Sequence, residues 1–373
     1  MIRHRFAFGA LAAGLILFAG PAAAQRWRMQ YFYDEEKSSL VLLDLKFASA
    51  QRGVAVGYVL TGRTQKPVAL VTSDGGAHWQ QTALEETPVS LFFLNENIGW
   101  LVTGKGLWVT REAGHGWTRL PRVPAQILRV CFVDENNGWA VGAKKTVLAT
   151  HDAGQHWTPV QAAAEQPGEP AYSAYNTITF PTPQFGLVTG WNIPPRRWLQ
   201  DEPDWMDPEA ALDTRDTPHL SYTLFTNDGG KTWKSSSASL FGETERILLS
   251  PGGVGLGLVV HSAGFQYSSE VYQIDWPTGK STSLYRDKKF SVTDIWMGPD
   301  QTAYLAGILN GGQLRGVIPG KVQVLSSRDY TGWNEADVDY RATANRVMLA
   351  AVDSTHMWIA TDTGMILRLE PAP

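Results

Sequence analysis

The chain has 373 residues, of which 43% are hydrophobic and 18% charged, so it is long enough to bury a large core. Its formal net charge of −4 argues against a nucleic-acid partner, which would need a basic surplus. The single cysteine, Cys131 in the apolar run "RVCFV", excludes an intrachain disulfide and is expected to be a buried, unreactive thiol.

The first residues have the pattern of a secretory signal peptide. A basic start, "MIRHR", precedes the apolar run "FAFGALAAGLILFAG", which is too short to span a bilayer as a helix. Ala22 and Ala24 stand where a signal peptidase reads small residues, so residues 1–24 are predicted to be cleaved. No later segment is long and apolar enough for a transmembrane helix. We therefore expect an exported protein, periplasmic or extracellular, and we expect it to be a monomer.

A strand-like segment, "RWRMQYFY", follows the leader, and after it a two-part pattern begins to repeat. The first part is a small residue or glycine followed by an apolar run, as in "RGVAVG", "IGWLVTG", "NGWAVG" and "FGLVTG". Three further runs continue the pattern: "GGVGLGLV", "DQTAYLAG" and "STHMWIAT". These seven occurrences are roughly 40–70 residues apart, a spacing that indicates a repeat architecture.

The second part of the pattern is an eight-residue box that occurs four times. Its copies read "TSDGGAHW", "TREAGHGW", "THDAGQHW" and "TNDGGKTW", and their tryptophans are 38, 40 and 76 residues apart. Each box carries an acid, a glycine and a final tryptophan, namely Asp74, Gly76 and Trp79; Glu112, Gly114 and Trp117; Asp152, Gly154 and Trp157; and Asp228, Gly230 and Trp233.

We interpret the boxes as structural turns. The acid can accept hydrogen bonds from backbone N–H groups of its own turn, the glycine can take positive φ, and the tryptophan can cover the hairpin. The alternative is a calcium site, but each box offers one carboxylate where six to eight oxygens are needed. His78, His115 and His156 also lie in boxes and are explained as turn residues, so we expect no metal and no cofactor.

The third unit shows the structure that one repeat encodes. It divides into "ILRVCFV", "GWAVGA", "TVLAT" and "HWTPV", four short strands separated by turns and without a helical pattern. Seven such units predict an all-β, seven-bladed β-propeller with four-stranded antiparallel blades, a single domain over residues 25–373. The last unit supplies only three strands, so Arg26–Tyr33 is predicted to complete its blade and close the ring.

One connection is much longer than a turn, an insertion in the fourth blade at about residues 191–221. The distance from Gly186 to Trp233 is 47 residues, against 18 and 19 in the two preceding blades. Aromatic and arginine side chains are common anchors of interfaces, and we predict that four of them here contact a partner: Arg196, Arg197, Trp198 and Trp205. Two alternatives are a solvated loop held down by its tryptophans and a calcium site in its acidic part.

The boxes resemble the Asp-box, or bacterial neuraminidase repeat, which occurs in sialidases, some endoglucanases, sorting receptors and a photosystem II assembly family. The pairing of "GWAVG" with a box shortly afterwards is most similar to that last family, over Ser39 to Trp233 and again at the last unit. The resemblance implies a seven-bladed propeller without enzymatic activity that binds a membrane-protein assembly intermediate, in the thylakoid lumen if the host is photosynthetic. The later units depart from the family because they lack clear boxes, and "SRDYTGW" is one residue short of one.

The other hypothesis is a secreted carbohydrate-active propeller enzyme, similar to a sialidase or an endoglucanase. A glycosidase needs two carboxylates that converge on one site, and no pair of acids is marked by its context here. The early arginine motif of sialidases is absent, and there is no phosphate-binding loop, nucleophile elbow or histidine cluster with metal spacing. We therefore predict no catalytic residues.

Overall fold

A computed structural model describes residues 26–121, 123, 126–195, 218–261, 265–310, 320–339 and 341–370. The strands of the first three blades follow a closing strand β1 and are β1 (Arg26–Phe32), β2 (Ser38–Phe47), β3 (Gly53–Thr61), β4 (Thr64–Thr72), β5 (Gln80–Ala83), β6 (Pro88–Phe93), β7 (Gly99–Thr103), β8 (Gly106–Thr110), β9 (Thr118–Arg119), β10 (Ile127–Phe132), β11 (Gly138–Gly142), β12 (Thr146–Thr150) and β13 (Thr158–Pro159). The remaining strands are β14 (Ser173–Thr179), β15 (Gly186–Asn192), β16 (His219–Thr226), β17 (Lys234–Leu240), β18 (Glu243–Leu249), β19 (Val254–Val260), β20 (Ser269–Asp275), β21 (Lys280–Arg286), β22 (Phe290–Met297), β23 (Ala303–Leu309), β24 (Val322–Ser327), β25 (Asn334–Glu335), β26 (Asp337–Val338), β27 (Val347–Ala351), β28 (Met357–Thr361) and β29 (Met365–Glu370).

These strands form seven sheets, which confirms the predicted seven-bladed propeller. Blades 1 to 6 are the four-stranded antiparallel meanders β2–β5, β6–β9, β10–β13, β14–β17, β18–β21 and β22–β25. The hydrophobic core lies between successive blades: Val54 and Val56 of blade 1, for example, share a buried cluster with Leu91 and Leu101 of blade 2. Because each blade buries one face against the next, the repeats stabilise each other as a ring.

The N-terminal strand completes the last blade, as predicted from the missing fourth strand. β1 pairs antiparallel with β29, from Arg26 opposite Glu370 to Phe32 opposite Met365, and Trp27 is fully buried. An addition that was not predicted is β26, which pairs in parallel with the other edge of β1 and makes this blade five-stranded. Blade 7 therefore has the order β26-β1-β29-β28-β27.

The strand order gives the ring two different faces. The turns from first to second strand and from third to fourth strand lie on one face, which we call the box face because all four boxes are third-to-fourth turns. The other face, the loop face, carries the second-to-third turns and the connections between blades. One such connection contains two unpredicted helices, α1 (Gln161–Ala164), which is rich in the strong helix former alanine, and a 3₁₀ turn (Pro170–Tyr172).

The two strands that flank the insertion of blade 4 meet it at the loop face. β15 extends to Asn192 and β16 begins at His219, so the connection is residues 193–218 and both ends of the predicted 191–221 insertion are strand. The four predicted contact residues, Arg196, Arg197, Trp198 and Trp205, lie outside the described residues.

Candidate functional site

A buried threonine holds each of the four box turns, and in three of them the aspartate holds the turn as well. In the box of blade 3, the Thr150 hydroxyl accepts the N–H of Gly154 at 2.9 Å and donates to Asp152 Oδ1 at 2.9 Å. Asp152 also accepts the backbone N–H of His156 at 2.9 Å, and Gly154 has a φ of 86°. The four threonines that begin the boxes are all 1–2% exposed, namely Thr72, Thr110, Thr150 and Thr226.

The three aspartates of the boxes are stabilised as carboxylates. The backbone N–H and the imidazole of His78 lower the pKa of Asp74 to about 2, and His156 does the same for Asp152. In the fourth box the hydroxyl and the backbone N–H of Thr232 lower the pKa of Asp228 to about 2. In all three, the oxygens of the acid are engaged by the turn itself, which is the arrangement of a structural joint.

The tryptophans and glycines of the boxes belong to a layer of aromatic contacts between blades. Trp157 lies edge-on to Phe132, the last residue of β10, and donates its indole N–H to Gly154 O at 3.0 Å. Phe132 in turn stacks at 3.7 Å on Trp100 of the preceding blade. The same Phe lies over Gly138, where a Cβ would come within 2.4 Å of its ring. The boxes and the glycines that lead the second strands are therefore parts of one packing layer.

The fifth and sixth blades lack complete boxes, and blade 6 still makes a similar turn. The Ser327 hydroxyl contacts Asp329 Oδ1 at 3.2 Å, and Asp329 accepts the backbone N–H groups of Thr331 and Gly332 at 2.9 and 3.0 Å. These contacts lower the pKa of Asp329 to about 2. Thus the motif that is one residue short in sequence keeps the hydrogen-bonding pattern of the turn.

A second repeated feature surrounds the central channel, where the innermost strands of blades 1 to 6 each contain a β-bulge. The bulged residues are Leu43, Val89, Leu128, Asn176, Glu245 and Thr293. The residue after each bulge hydrogen-bonds to the inner strand of the next blade; these residues are Asp44, Ser90, Arg129, Thr177, Arg246 and Asp294. A bulge re-aims side chains, and here it directs polar groups to the axis of the ring.

Two of these residues, Asp44 and Asp294, clamp neighbouring blades in the same way. Asp44 accepts the N–H of Leu91 in blade 2 at 2.8 Å and pairs with Lys46 at 2.6 Å. Asp294 accepts the N–H of Leu349 in blade 7 at 2.7 Å and pairs with Arg246 at 2.5 Å. Burial alone would raise the pKa of Asp44, but the charges of Lys46 and Arg129 outweigh it and hold that pKa below its usual value.

The charged side chains around the central channel form a ring, which we call the channel ring, and in it cations outnumber carboxylates. Its charged members are Lys46, Arg129, Arg246 and Arg346 with Asp44, Glu245 and Asp294. Arg346 pairs with Glu245 at 3.5 Å, and Arg129 donates from Nε to the carbonyl of Asn176 at 2.8 Å. Among the described residues Arg129 has no ion-pair partner, so it carries the positive charge in excess.

The space inside the channel ring is small, a cavity of about 50 Å³. Binding pockets for small molecules have volumes of about 300–1,000 Å³, so this cavity suits water rather than a sugar ring. Arg346 precedes the first strand of blade 7, which begins at the loop face, and the Arg346–Glu245 pair therefore marks the end of the ring nearest that face. The channel mouth and the strand ends that flank the insertion of blade 4, Asn192 and His219, thus lie on the same side of the molecule.

The channel ring was not predicted from the sequence, although a signal exists. In each inner strand of blades 1 to 6, the polar residue that follows the bulge lies three positions before a residue at or just after the end of the strand. Examples are "DLKF", "RVCF" and "DIWM". A polar residue that recurs at the same position of every inner strand of blades 1 to 6 indicates a shared environment. No group of three or more potential metal-binding side chains occurs among the described residues, and none of their helices is long and apolar enough to cross a membrane.

Comparisons with known proteins give a weak sequence similarity and a clear structural one. No protein-family model matches the chain. It is 25% identical over 268 residues to the photosystem II assembly protein Ycf48 of Synechococcus sp. (strain JA-3-3Ab), covering 66% of this chain and 73% of that protein. The structure of YCF48 bound to a D1 peptide superposes with a TM-score of 0.57 and 15% identity over 90% of this chain and 98% of that one.

A second solved structure agrees with the first. YCF48 from Cyanidioschyzon merolae matches 94% of this chain and 99% of its own, with a TM-score of 0.57 and 14% identity. At such low identity the two solved structures show the common fold. Together with the sequence match, they show that the chain resembles the photosystem II assembly family of seven-bladed propellers.

Proposed function

We propose that this chain is an exported propeller that binds a protein partner and serves as an assembly or stability factor for a membrane-protein complex. The observation that carries the proposal is the 25% sequence identity over 268 residues to a photosystem II assembly protein. The structural neighbour bound to a D1 peptide further supports a polypeptide ligand. In this role the chain acts by binding, without catalysis.

The loop face is the surface on which we place the contact. It carries the channel mouth with Arg346 and Glu245, whose side chains are 44% and 35% exposed, and the strands that flank the insertion of blade 4 end there. The box face is occupied by short turns, and the aspartates of three of them, Asp74, Asp152 and Asp228, are hydrogen-bonded within the turns themselves. Variation in function between propellers resides in loops and channel mouths because the strands are committed to packing between blades.

The carbohydrate-active alternative gains no support from the channel. The two carboxylates that lie deepest there, Asp44 and Asp294, are each tied to a cation and to backbone N–H groups, and the space between them is too small for a sugar. An acid or nucleophile committed in this way is not free to act on a substrate.

Affinity capture tests the proposal. The mature protein, immobilised through a C-terminal tag, is incubated with detergent-solubilised membranes of its own host, and bound proteins are identified by mass spectrometry against the tag alone. We expect enrichment of subunits or precursors of one membrane complex. If no membrane protein is enriched and reporter glycosides are hydrolysed, the enzyme hypothesis replaces this one.

A further inference from the structure

We propose that the outer edge of β17 in blade 4 is a strand-addition site that accepts an extended segment of a partner protein. This surface is the rim of the propeller and is separate from the channel mouth, so the proposal does not depend on the contact proposed for the loop face. It rests on the length, regularity and surface of this one strand compared with the other outer strands of the ring.

Most outer strands are too short to pair with another chain. Those of blades 1, 2, 3 and 6 have four, two, two and two residues. β17 has seven, and it pairs with β16 in an unbroken register from His219 opposite Leu240 to Phe225 opposite Lys234. In an antiparallel sheet every second residue of an edge strand directs its N–H and C=O away from the sheet, so a regular strand of this length presents a row of free backbone groups.

The two other long outer strands are protected. β26 pairs with the first two residues of β1, where the Arg26–Asp337 ion pair at 3.3 Å supports the pairing, and β1 has a register shift between Met29 and Tyr31 further along. β21 has a register shift between its pairs with Val271 and Tyr272, and an irregular edge is a poor template for a new strand. β17 has no proline, no bulge and, among the described residues, no strand beyond it. The pairing of β26 with β1 shows that an outer strand of this ring does accept a further strand.

The side chains of β17 leave room for a neighbouring strand. The sequence "KSSSASL" is exposed over its first six residues, and only serine and alanine occupy its centre. Its two ends differ in chemistry. Lys231 and Lys234 make the first end basic, whereas Leu240 leads at the other end to Phe241, which is 43% exposed and stacks with Phe265 at 6.1 Å.

This polarity identifies the occupant as a segment with an acidic residue at one end and an apolar residue at the other. Lys234 and Leu240 are six positions apart, and a strand spans about 20 Å over that distance. A second copy of the chain fits less well, because antiparallel self-pairing about Ser237 would place Lys234 against Leu240. A single strand pair also buries far less than the roughly 1,200 Å² of a stable interface, whereas a peptide gains affinity from its backbone hydrogen bonds.

The test uses a labelled eight-residue probe peptide, Asp-Thr-Val-Thr-Val-Thr-Val-Phe, and the same peptide in reverse order. The structure predicts saturable binding of one of the two orders by fluorescence anisotropy, with hydrogen-exchange protection gained in residues 234–240 and not in β21. Two matched peptides, N-methylated on one or the other set of alternate amides, keep the side chains, and only one of them loses the donors that face β17. We expect that one to bind at least about tenfold more weakly.

Protein variants separate backbone pairing from side-chain contact. Ser236→Pro and Ser237→Pro each remove one backbone N–H, and only one of these two N–H groups points away from β16. The variant that loses this outward N–H should keep its melting temperature and bind the probe at least about tenfold more weakly. Ser236→Ala and Ser237→Ala keep the N–H and should bind as the wild type does. Unweakened binding of both N-methyl peptides, no binding of either order, or a concentration-dependent dimer that competes with the probe would overturn the proposal.

Discussion

The indole nitrogen of Trp358 donates a hydrogen bond of 2.9 Å to the carbonyl oxygen of Gly75, across the interface between the last blade and the first. The Trp358 ring also stacks on Phe47 of blade 1, with centroids 3.5 Å apart and planes 2° apart. Met348, the blade 7 residue at the level of the channel ring, is apolar and packs in the same cluster. Blades 7 and 1 are thus joined by aromatic and apolar packing together with this hydrogen bond to a box turn.

Trp358→Phe should destabilise the ring more than the equivalent change in the middle of it. The variant keeps an aromatic ring against Phe47 and leaves the Gly75 carbonyl without this donor, at a cost of about 1 kcal/mol beyond the lost volume. The matched control is Trp139→Phe, because Trp139 stacks on Phe180 at 4.0 Å but its indole nitrogen has no hydrogen-bond partner among the described residues. Urea unfolding of the two variants measures the difference, and equal losses would contradict it.

The buried threonine that begins a box should contribute strongly to the stability of the fold. Thr150→Val replaces a hydroxyl that is 1% exposed and leaves the N–H of Gly154 without its acceptor, so we expect a loss of about 1–3 kcal/mol. Thr118→Val, on the exposed outer strand of blade 2, is the control and should change the unfolding free energy by less than about 0.5 kcal/mol. A Thr150→Val variant as stable as this control would show that the acid alone holds the turn.

Stability should fall in acid as the box carboxylates are protonated. The pKa of Asp74, Asp152 and Asp228 is about 2 in the folded protein and close to 4 when unfolded, so their contribution is complete above about pH 4 and is lost as the pH falls towards 2. Replacing all three by asparagine should flatten the melting temperature between pH 4 and pH 2. An unchanged acid slope in the triple variant would assign the slope to other groups.

Much of the fold could be predicted from local sequence patterns. The glycine that leads each second strand is needed because a Cβ at Gly53 would lie 2.5 Å from the Phe47 ring, and that constraint repeats from blade to blade. The last unit supplies only three strands, so the strand-like segment Arg26–Tyr33 was predicted to be its fourth strand, and β1 takes that place. β26 escaped prediction because two residues that add to an edge have no pattern of their own.

The channel ring could not be predicted with the same ease, because it depends on contacts between blades. Arg129 reads as one charged residue in an apolar strand until the ring places its Nε against the Asn176 carbonyl of the next blade. Likewise, Asp44 is recognised as a clamp only when Leu91, 47 residues later, is seen to donate to it. A repeat predicts which residues are equivalent, but only ring closure brings them to a common axis.

The charged clamps of the channel should contribute more to the free energy of unfolding than the neutral hydrogen bonds around the same channel. Asp44→Ala removes the carboxylate that Lys46 and the N–H of Leu91 share, and breaking a buried pair of this kind should cost about 3 kcal/mol. Ser90→Ala removes one hydrogen bond, of 2.7 Å to the Leu128 carbonyl, and should cost about 1 kcal/mol. Chemical unfolding of both variants gives the comparison. If Asp44→Ala cost no more than Ser90→Ala, the ion pair would add nothing to the clamp.

Partner binding should depend on the insertion of blade 4, whose flanking strands end at the loop face beside the channel mouth. Four residues are replaced by alanine together: Arg196, Arg197, Trp198 and Trp205. Because aromatic and arginine anchors dominate interface energies, capture of the partner identified from the membrane fraction should weaken by at least about tenfold while the melting temperature stays the same. A parallel variant, Arg129→Ala with Arg346→Ala, tests the channel mouth. Intact capture by the first variant and loss in the second would move the contact to the channel, and a large fall in the melting temperature of the first would mean that its tryptophans are part of the core.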